Sequence, residues 1–460
     1  MAQPAHLEQA RLPGIVRHRR SARLGNTALQ ATALMVLSLP AAAQPAANAR
    51  PTGGVVTAGT ASISQNPTTT TIDQASQRAA LNWQSFNLGS QQTVDFVQPS
   101  ASAIALNRVT GPSPSQIAGR IDANGQIVLV NQSGVTFYKG TQVNANSLVV
   151  SAAGISNRNF MAGRMVFDQA AKPNAAVVNQ GTITMGQAGL AALVAPQAAN
   201  SGVITAKLGH VVLAGAKTAT LDLYGDGLLS LDVSNEVTQA PVGPGGTKAT
   251  VLVTNTGTIS ATGGTVQLTA RAADGIVQTL VQSGGTVSAA SVGGRTGTVM
   301  VNGVGGSIVV DGQLSATGAA PSTTGGGIEI AGNADVLVAA SARIDASGRA
   351  GGGVVAIGTD LARARGGPGV TPTLIAANTK IAHGATIGAD ATANGSGGRV
   401  TVLSAGQTTM AGSIDARGGP QGGNGGLVEE SGPSLSPTGP VDVSAPMGTV
   451  GTILLDPSGK

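Results

Sequence analysis

The sequence predicts an all-β protein folded as a right-handed parallel β-helix, a solenoid of stacked coils. Three observations carry that prediction. Short β-type runs alternate with turn clusters from Gly54 onward, without the apolar period of a helix. Small sequence units recur at coil-sized intervals. The composition suits a thin, layered core: 68 Gly in 460 residues, 2% aromatics, 10% charged residues and no Cys. Collagen is excluded because no Gly-X-Y period runs through the chain. Disorder is excluded because Val, Ile, Leu and Ala are plentiful and charge is sparse.

In chain order, residues 1–43 read as a signal peptide. Arg17-His18-Arg19-Arg20 and Arg23 form a basic region, and Ala28 to Leu39 an apolar stretch too short to span a bilayer. Pro40-Ala41-Ala42-Ala43 supplies small residues for cleavage. Residues 44–53 form a Pro-containing spacer, and residues 54–300 and 301–460 are the two β regions. The net charge alone, +5 overall, invites a nucleic-acid reading. Five of the 26 basic residues and one of the 21 acidic ones lie in residues 1–43, leaving 21 basic against 20 acidic. No basic cluster with interleaved aromatics survives there, so nucleic acid is not an expected partner. The lack of Cys suits unfolded passage through an oxidising compartment.

Two repeat units mark the coils. The first is Asn-x-Gly-x-Ile, at Asn179–Ile183, Asn200–Ile204 and Asn255–Ile259. The second is an aliphatic residue, a small or acidic one, Ala, a variable residue and Gly. It occurs at Ile259–Gly263, Leu314–Gly318, Ile344–Gly348 and Ile414–Gly418, with a degenerate copy at Ile387–Ala391. Uneven spacing fits a β-helix, in which inward aliphatic residues stack while the loops between strands vary in length. A β-sandwich array would instead show two-residue Asn-Gly hairpins between longer strands. At one coil per roughly 21 residues, the mature chain would hold at most roughly 20 coils in a rod on the order of 70–95 Å. Asn and Gly are expected at corners that need left-handed backbone or a side-chain bond to the main chain. Residues 419–447 read as less strand-like, and the last residues as a truncated end with an exposed edge.

No constellation of residues announces catalysis. His210 and His383 lie far apart, and no H-E-x-x-H, Cys-based metal spacing or G-x-S-x-G is present. Asp222–Gly227 reads as an alternating strand ending in an Asp-Gly turn, and Gly422–Gly426 lacks the register of calcium-binding repeats, so neither metal nor cofactor is expected. Asp345 and Asp415 occupy matching repeat positions. That favours one corner used repeatedly over a catalytic pair, and the sequence therefore reads as non-enzymatic.

The stretch from Ser85 to Val135 carries the functional signal. Its β runs Thr93–Val97, Ile104–Val109 and Gln126–Val130 are separated by the turns Gly111-Pro112-Ser113-Pro114, Asp122–Gly125 and Asn131-Gln132-Ser133-Gly134. This order of strands and turns resembles the amino-terminal secretion domain of the filamentous haemagglutinin family, the exoproteins of two-partner secretion. The likeness runs from about Gly54 to Ile155 and continues through Leu223–Leu229. It implies an N-terminal secretion-domain cap on the β-helix and export through periplasm and outer membrane. The implied partners are an outer-membrane transporter and, beyond it, a host or bacterial surface receptor or glycan. The residues implied for the secretion motif are Asn107, Arg108, Gly111, Pro112, Asn131, Gly134 and Val135. Family members carry asparagine–proline–asparagine–glycine at the turn where this chain has Asn131, Gln132, Ser133 and Gly134. The expected role is adhesion. The alternatives are a secreted β-helix enzyme acting on polysaccharide and a truncated carrier of a C-terminal toxin.

Overall fold

A computed structural model describes residues 44–222, 229–230, 236–243 and 245–457. The leader (1–43) and the Leu223–Leu228 part of the family likeness lie outside the described residues. From residue 44 the chain winds into a parallel β-helix with three faces. A coil runs through a first-face strand such as Ala176–Asn179, a second-face strand such as Thr182–Met185 and a third-face strand such as Leu190–Ala195. The first face stacks 11 strands and the other two stack 14 each. At about 4.8 Å per strand the longer faces run about 60 Å. That is shorter than the expected rod, because the chain leaves the coil three times, between Ser151 and Ala176, between Gly215 and Val251, and between Ile357 and Thr379.

The N-terminal end is closed by a change of strand direction. Val55–Ala58 pairs antiparallel with Arg78–Trp83, and Ala61–Gln65 pairs antiparallel with Thr69–Gln74. Parallel stacking starts with Thr69–Gln74 on Thr93–Val97 and Arg78–Trp83 on Ile104–Val109. The backbone of residues 47–52 is tied to this end, Gly89 N–H donating to Ala49 O and Gln84 N–H to Thr52 O. An open sheet end is a template for unwanted pairing, and the two antiparallel strands cover it.

The two sequence repeats prove to be one coil position. Ile183, Ile204, Ile259, Val287, Leu314, Ile344, Ile387, Ile414 and Val441 pair in register as a single inward column on the second face. All but the last are buried, each worth roughly 1.5–3 kcal/mol of apolar burial. The Asn residues that open the first unit stack as well. Asn179 Nδ2 donates to Asn200 Oδ1 and Asn200 Nδ2 to Asn255 Oδ1, each at 2.8 Å, so these three buried amides are joined along the rod.

Left-handed backbone, the expected cause, holds for glycines such as Gly134, Gly305, Gly384 and Gly395, but the glycines stacked at two of the corners have another cause. Gly189, Gly209, Gly264, Gly297, Gly326, Gly353, Gly398, Gly426 and Gly451 line the corner before the third face, and none of them has a left-handed backbone. Instead, a Cβ on Gly209, Gly264, Gly326, Gly353, Gly398, Gly426 or Gly451 would lie 1.8–2.1 Å from the carbonyl oxygen of its counterpart one coil earlier. A second ladder, Gly181, Gly202, Gly257, Gly285 and Gly312, lines the corner before the second face in the same way. Close backbone approach, and not conformation, selects glycine here. The less strand-like reading of residues 419–447 is also corrected. Leu427–Ser431, Ser434–Pro437 and Val441–Asp442 continue all three faces, with Gly-rich loops between them.

The third face is apolar on both sides over its first half. In the strands Gln126–Val130, Ser147–Ser151, Leu190–Ala195 and His210–Gly215, Ile127, Leu129, Leu148, Val150, Leu193 and Leu213 point into the coil. Val128, Val130, Val149, Val194 and Val212 point outward and are equally buried. Their cover is a short helix, Asn157–Met161, with the strand Met165–Phe167 paired antiparallel to Ala219–Leu221. Phe160, Met165, Phe167 and Leu221 sit on the outer row.

Candidate secretion-recognition site

The residues implied for the secretion motif divide sharply by location. Asn107 lies inside the coil on Ile104–Val109, where its Oδ1 accepts Trp83 Nε1–H at 3.0 Å. Trp83 packs edge-on against Phe86, with ring centroids 5.6 Å apart. The only Trp of the chain therefore needs a buried acceptor, and Asn107 supplies it. Asn131 is buried too. Its Nδ2 donates to Ser113 O and Ser115 Oγ, and its Oδ1 accepts Ser133 N–H, which closes the turn. Gly134 has φ of +107°, and a Cβ there would meet Ala176 O, so this turn position requires glycine on both counts. Val135 is fully buried in the core.

Arg108 points outward and works as a staple. Its Nη1 donates to Asn82 Oδ1, and its Nη2 donates to Ile155 O at 2.6 Å and Asn157 Oδ1 at 3.0 Å. Burial lowers its pKa from the ordinary arginine value. Arg78 acts alongside it, with Nη1 on Phe160 O and its guanidinium 5.5 Å from the Phe160 ring centroid. Gly111 sits against Gln84 O, and Pro112 is exposed. Pro112 O accepts from Ser133 Oγ at 2.7 Å and from Lys172 Nζ at 3.2 Å. The two turns and the 170–172 segment thus form one joined patch on the corner leading to the first face. The geometry gathers Pro112, Asn131 and Gly134 there. Asn107 belongs to the interior, and Arg108 to the cover of the third face. Sequence reading missed Trp83, Arg78, Lys172 and Phe160. A lone Trp one coil before an inward-facing Asn was the available signal for the first of these.

The residues weighed for catalysis do not converge. His210 opens a third-face strand, and His383 is exposed in a loop beyond the first-face strand Thr379–Ile381. Gly388 stands between Asp345 and Asp415 in the stack. Asp345 Oδ1 accepts Ser347 N–H and Asp442 Oδ1 accepts Ser444 N–H, which is the same corner turn in two coils. Among the described residues no group of three or more His, Asp or Glu is placed to hold a metal ion. Gly422–Gly426 lies along a groove of about 510 Å³, lined by paired glycines, Arg399, Asn424, Leu427, Val450, Thr449 and Thr452, with no carboxylate in its wall. No described helix is long and apolar enough to cross a membrane.

One buried carboxyl makes the fold pH-sensitive. Glu430 is 1% exposed and in register with inward-facing Val402, its Oε2 has no hydrogen-bond partner, and burial pushes its pKa up to about 7. A folded-state pKa above the unfolded value gives stability that is fully present below about pH 4.5 and lost as pH rises through about 7. Glu430→Gln is expected to raise the unfolding free energy at pH 8.5 by about 1–3 kcal/mol and to change little at pH 4. Equal effects at both pH values in chemical denaturation would contradict the assignment.

This architecture, a parallel β-helix with an antiparallel N-terminal cap and a covered third face, defines a secretion-domain type of β-solenoid. The sequence pattern of the TPS secretion domain matches residues 47–316, and the chain belongs to that family. The crystal structure of the HMW1 secretion domain from Haemophilus influenzae superposes with a TM-score of 0.68 at 27% identity, covering 87% of this chain and all of that one. The heme/hemopexin-binding protein of Haemophilus influenzae is 40% identical over 98 residues, which is 21% of this chain and 11% of that protein. A second Haemophilus influenzae protein of the same description is 41% identical over 81 residues, 18% of this chain and 9% of its own length. The match thus spans about a tenth of the length of these curated relatives. The chain carries a two-partner secretion exoprotein domain, and proteins with this domain are exported through the periplasm and outer membrane to the cell surface or medium. Such a domain implies an outer-membrane transporter as its partner.

Proposed function

We propose that residues 54–155 are the address read by the transporter before the chain folds, and that the folded rod then serves as a non-enzymatic adhesin for a surface receptor or glycan. The burial of Asn107, Asn131, Gly134 and Val135 carries this reading. Side chains inside the coil offer nothing to a partner once the helix has formed, so recognition through them belongs to the extended chain. Afterwards the same residues build the first coils, and the 11- and 14-strand faces present loops along their length. Coil stacking outside the cell then opposes back-sliding, because each new coil buries another inward row.

Deletion of residues 54–155 is expected to leave the protein in the periplasm of cells that produce the transporter. Undiminished appearance in the medium would refute the address. Pro112→Ala and Asn131→Ala in the otherwise intact chain separate the two turn positions. For adhesion, the secreted chain is expected to bind host cells or neighbouring bacteria in a saturable manner. Failure to bind either surface would remove the adhesin reading and leave the export reading intact.

A further inference from the structure

The last departure from the coil, residues 358–376, forms a strap across the outside of the third face. Its neck closes locally. Ala376 N–H donates to Gly358 O at 2.8 Å, and Asp360 Oδ2 accepts Thr373 N–H and Thr373 Oγ1–H at 2.5 and 2.7 Å. Asp360 Oδ1 also caps the helix Leu361–Gly366 by accepting Arg363 N–H at 2.8 Å. Burial opposes ionisation of Asp360, but these hydrogen bonds outweigh it and hold the carboxyl below its ordinary pKa. The helix rests on an earlier coil as well, where Glu329 Oε2 accepts Leu361 N–H at 3.0 Å.

The far side of the strap is held differently. Arg363 reaches past the strand Arg399–Leu403 to Glu429, 66 residues downstream, and makes a bidentate pair at 3.0 and 2.5 Å. The two side chains are 4% and 1% exposed. Glu429 Oε1 also accepts Ser431 Oγ–H. No nearer carboxylate can substitute. Glu329 is engaged by Leu361 N–H and Asn302 Nδ2, and Asp360 by the strap's own backbone. Directly between the strap and Glu429 in the outward row stands Thr401, which is neutral.

We propose that the strap is a late-closing latch: its neck forms locally, but its helix seats only after the coil bearing Glu429 has been added, and it then ties four successive third-face strands together. A guanidinium cannot be sealed from water without its counter-charge, so Arg363 stays solvated until Glu429 arrives. Contacts between neighbouring coils form as each coil is laid down, whereas this one waits for two more. The latch consequently distinguishes a completed stack from a partial one. It depends on folding order alone and stands whether or not the transporter reading does.

Trypsin reports on the latch through the Arg363–Ala364 bond. In the purified full-length chain, Glu429→Gln is expected to raise cleavage after Arg363 at least tenfold without altering the far-UV circular dichroism. The double variant Arg363→Met with Glu429→Leu is expected to hold the strap down again, read as slow cleavage after Arg365. Cleavage of Glu429→Gln at the wild-type rate would overturn the proposal. Should Glu429→Gln not fold, refolding of the wild-type chain with timed trypsin pulses decides instead. Protection after Arg399 is expected before protection after Arg363, and the reverse order or simultaneous protection would overturn it.

Discussion

Gly398→Ala is expected to destabilise the protein by about 4 kcal/mol or more, or to prevent assembly of the later coils. The added Cβ would lie 2.1 Å from Gly353 O, the oxygen that accepts Arg399 N–H at 2.9 Å. Relief requires the two coils to part, which lengthens that bond and its neighbours on both adjoining faces. The same residue sits under Gly426, whose own Cβ would lie 2.1 Å from Gly398 O, so a shift of one coil is passed to the next. A loop glycine supplies the control. Gly369 has nothing within 4 Å of its Cβ direction and no left-handed backbone, so Gly369→Ala should change stability by no more than about 0.5 kcal/mol. Chemical denaturation of the two variants decides the matter. A Gly398→Ala protein within 1 kcal/mol of the parent would show that the coils are not packed by backbone contact at this corner.

That contrast explains how the sequence could announce the fold while hiding its cause. The recurring Asn, Gly and Ile are enough to predict coils, because Ile183, Ile204 and Ile259 keep their spacing to Asn179, Asn200 and Asn255 in every copy. The reason for glycine is a distance between residues in different coils, and no local pattern carries it. The excursions over residues 152–175 and 358–376 were illegible for a similar reason. Their anchors, Arg78 to Phe160 and Arg363 to Glu429, join residues 82 and 66 positions apart. The outer apolar row was legible in principle. Gln126–Val130, Ser147–Ser151 and Leu190–Ala195 show unbroken apolar runs where a half-exposed strand would alternate, and such runs signal burial on both faces. Of the motif residues, the Asn131–Gly134 turn could be recognised by its chemistry. The inward direction of Asn107 depended on knowing the register that pairs Leu81 with Asn107 and Trp83 with Val109, which puts the Trp83 indole within reach of the Asn107 amide.

Phe160→Ala is the second large effect, expected at about 3–5 kcal/mol, because a large, fully buried side chain is lost from the cover's packing on the outer row. The helix Asn157–Met161 is only five residues long, and Phe160 is its one buried residue. Its capping is modest: Ser156 Oγ accepts Asn159 N–H at 3.1 Å. A helix this short has no stability of its own and exists because its apolar residue is packed. Truncation leaves a void over the outer row that holds Leu106, Val128 and Val149, and it removes the ring that faces the Arg78 guanidinium. The inner core of the coil is untouched, which gives the variant a distinctive signature. Binding of a hydrophobic dye should increase under native conditions while the strand content by circular dichroism stays at the parental level. An inner substitution such as Leu213→Ala should differ, lowering the unfolding midpoint without native-state dye binding, since its void stays sealed within the rod. A Phe160→Ala protein with unchanged dye binding and midpoint would mean that Met165, Phe167 and Leu221 hold the cover without it.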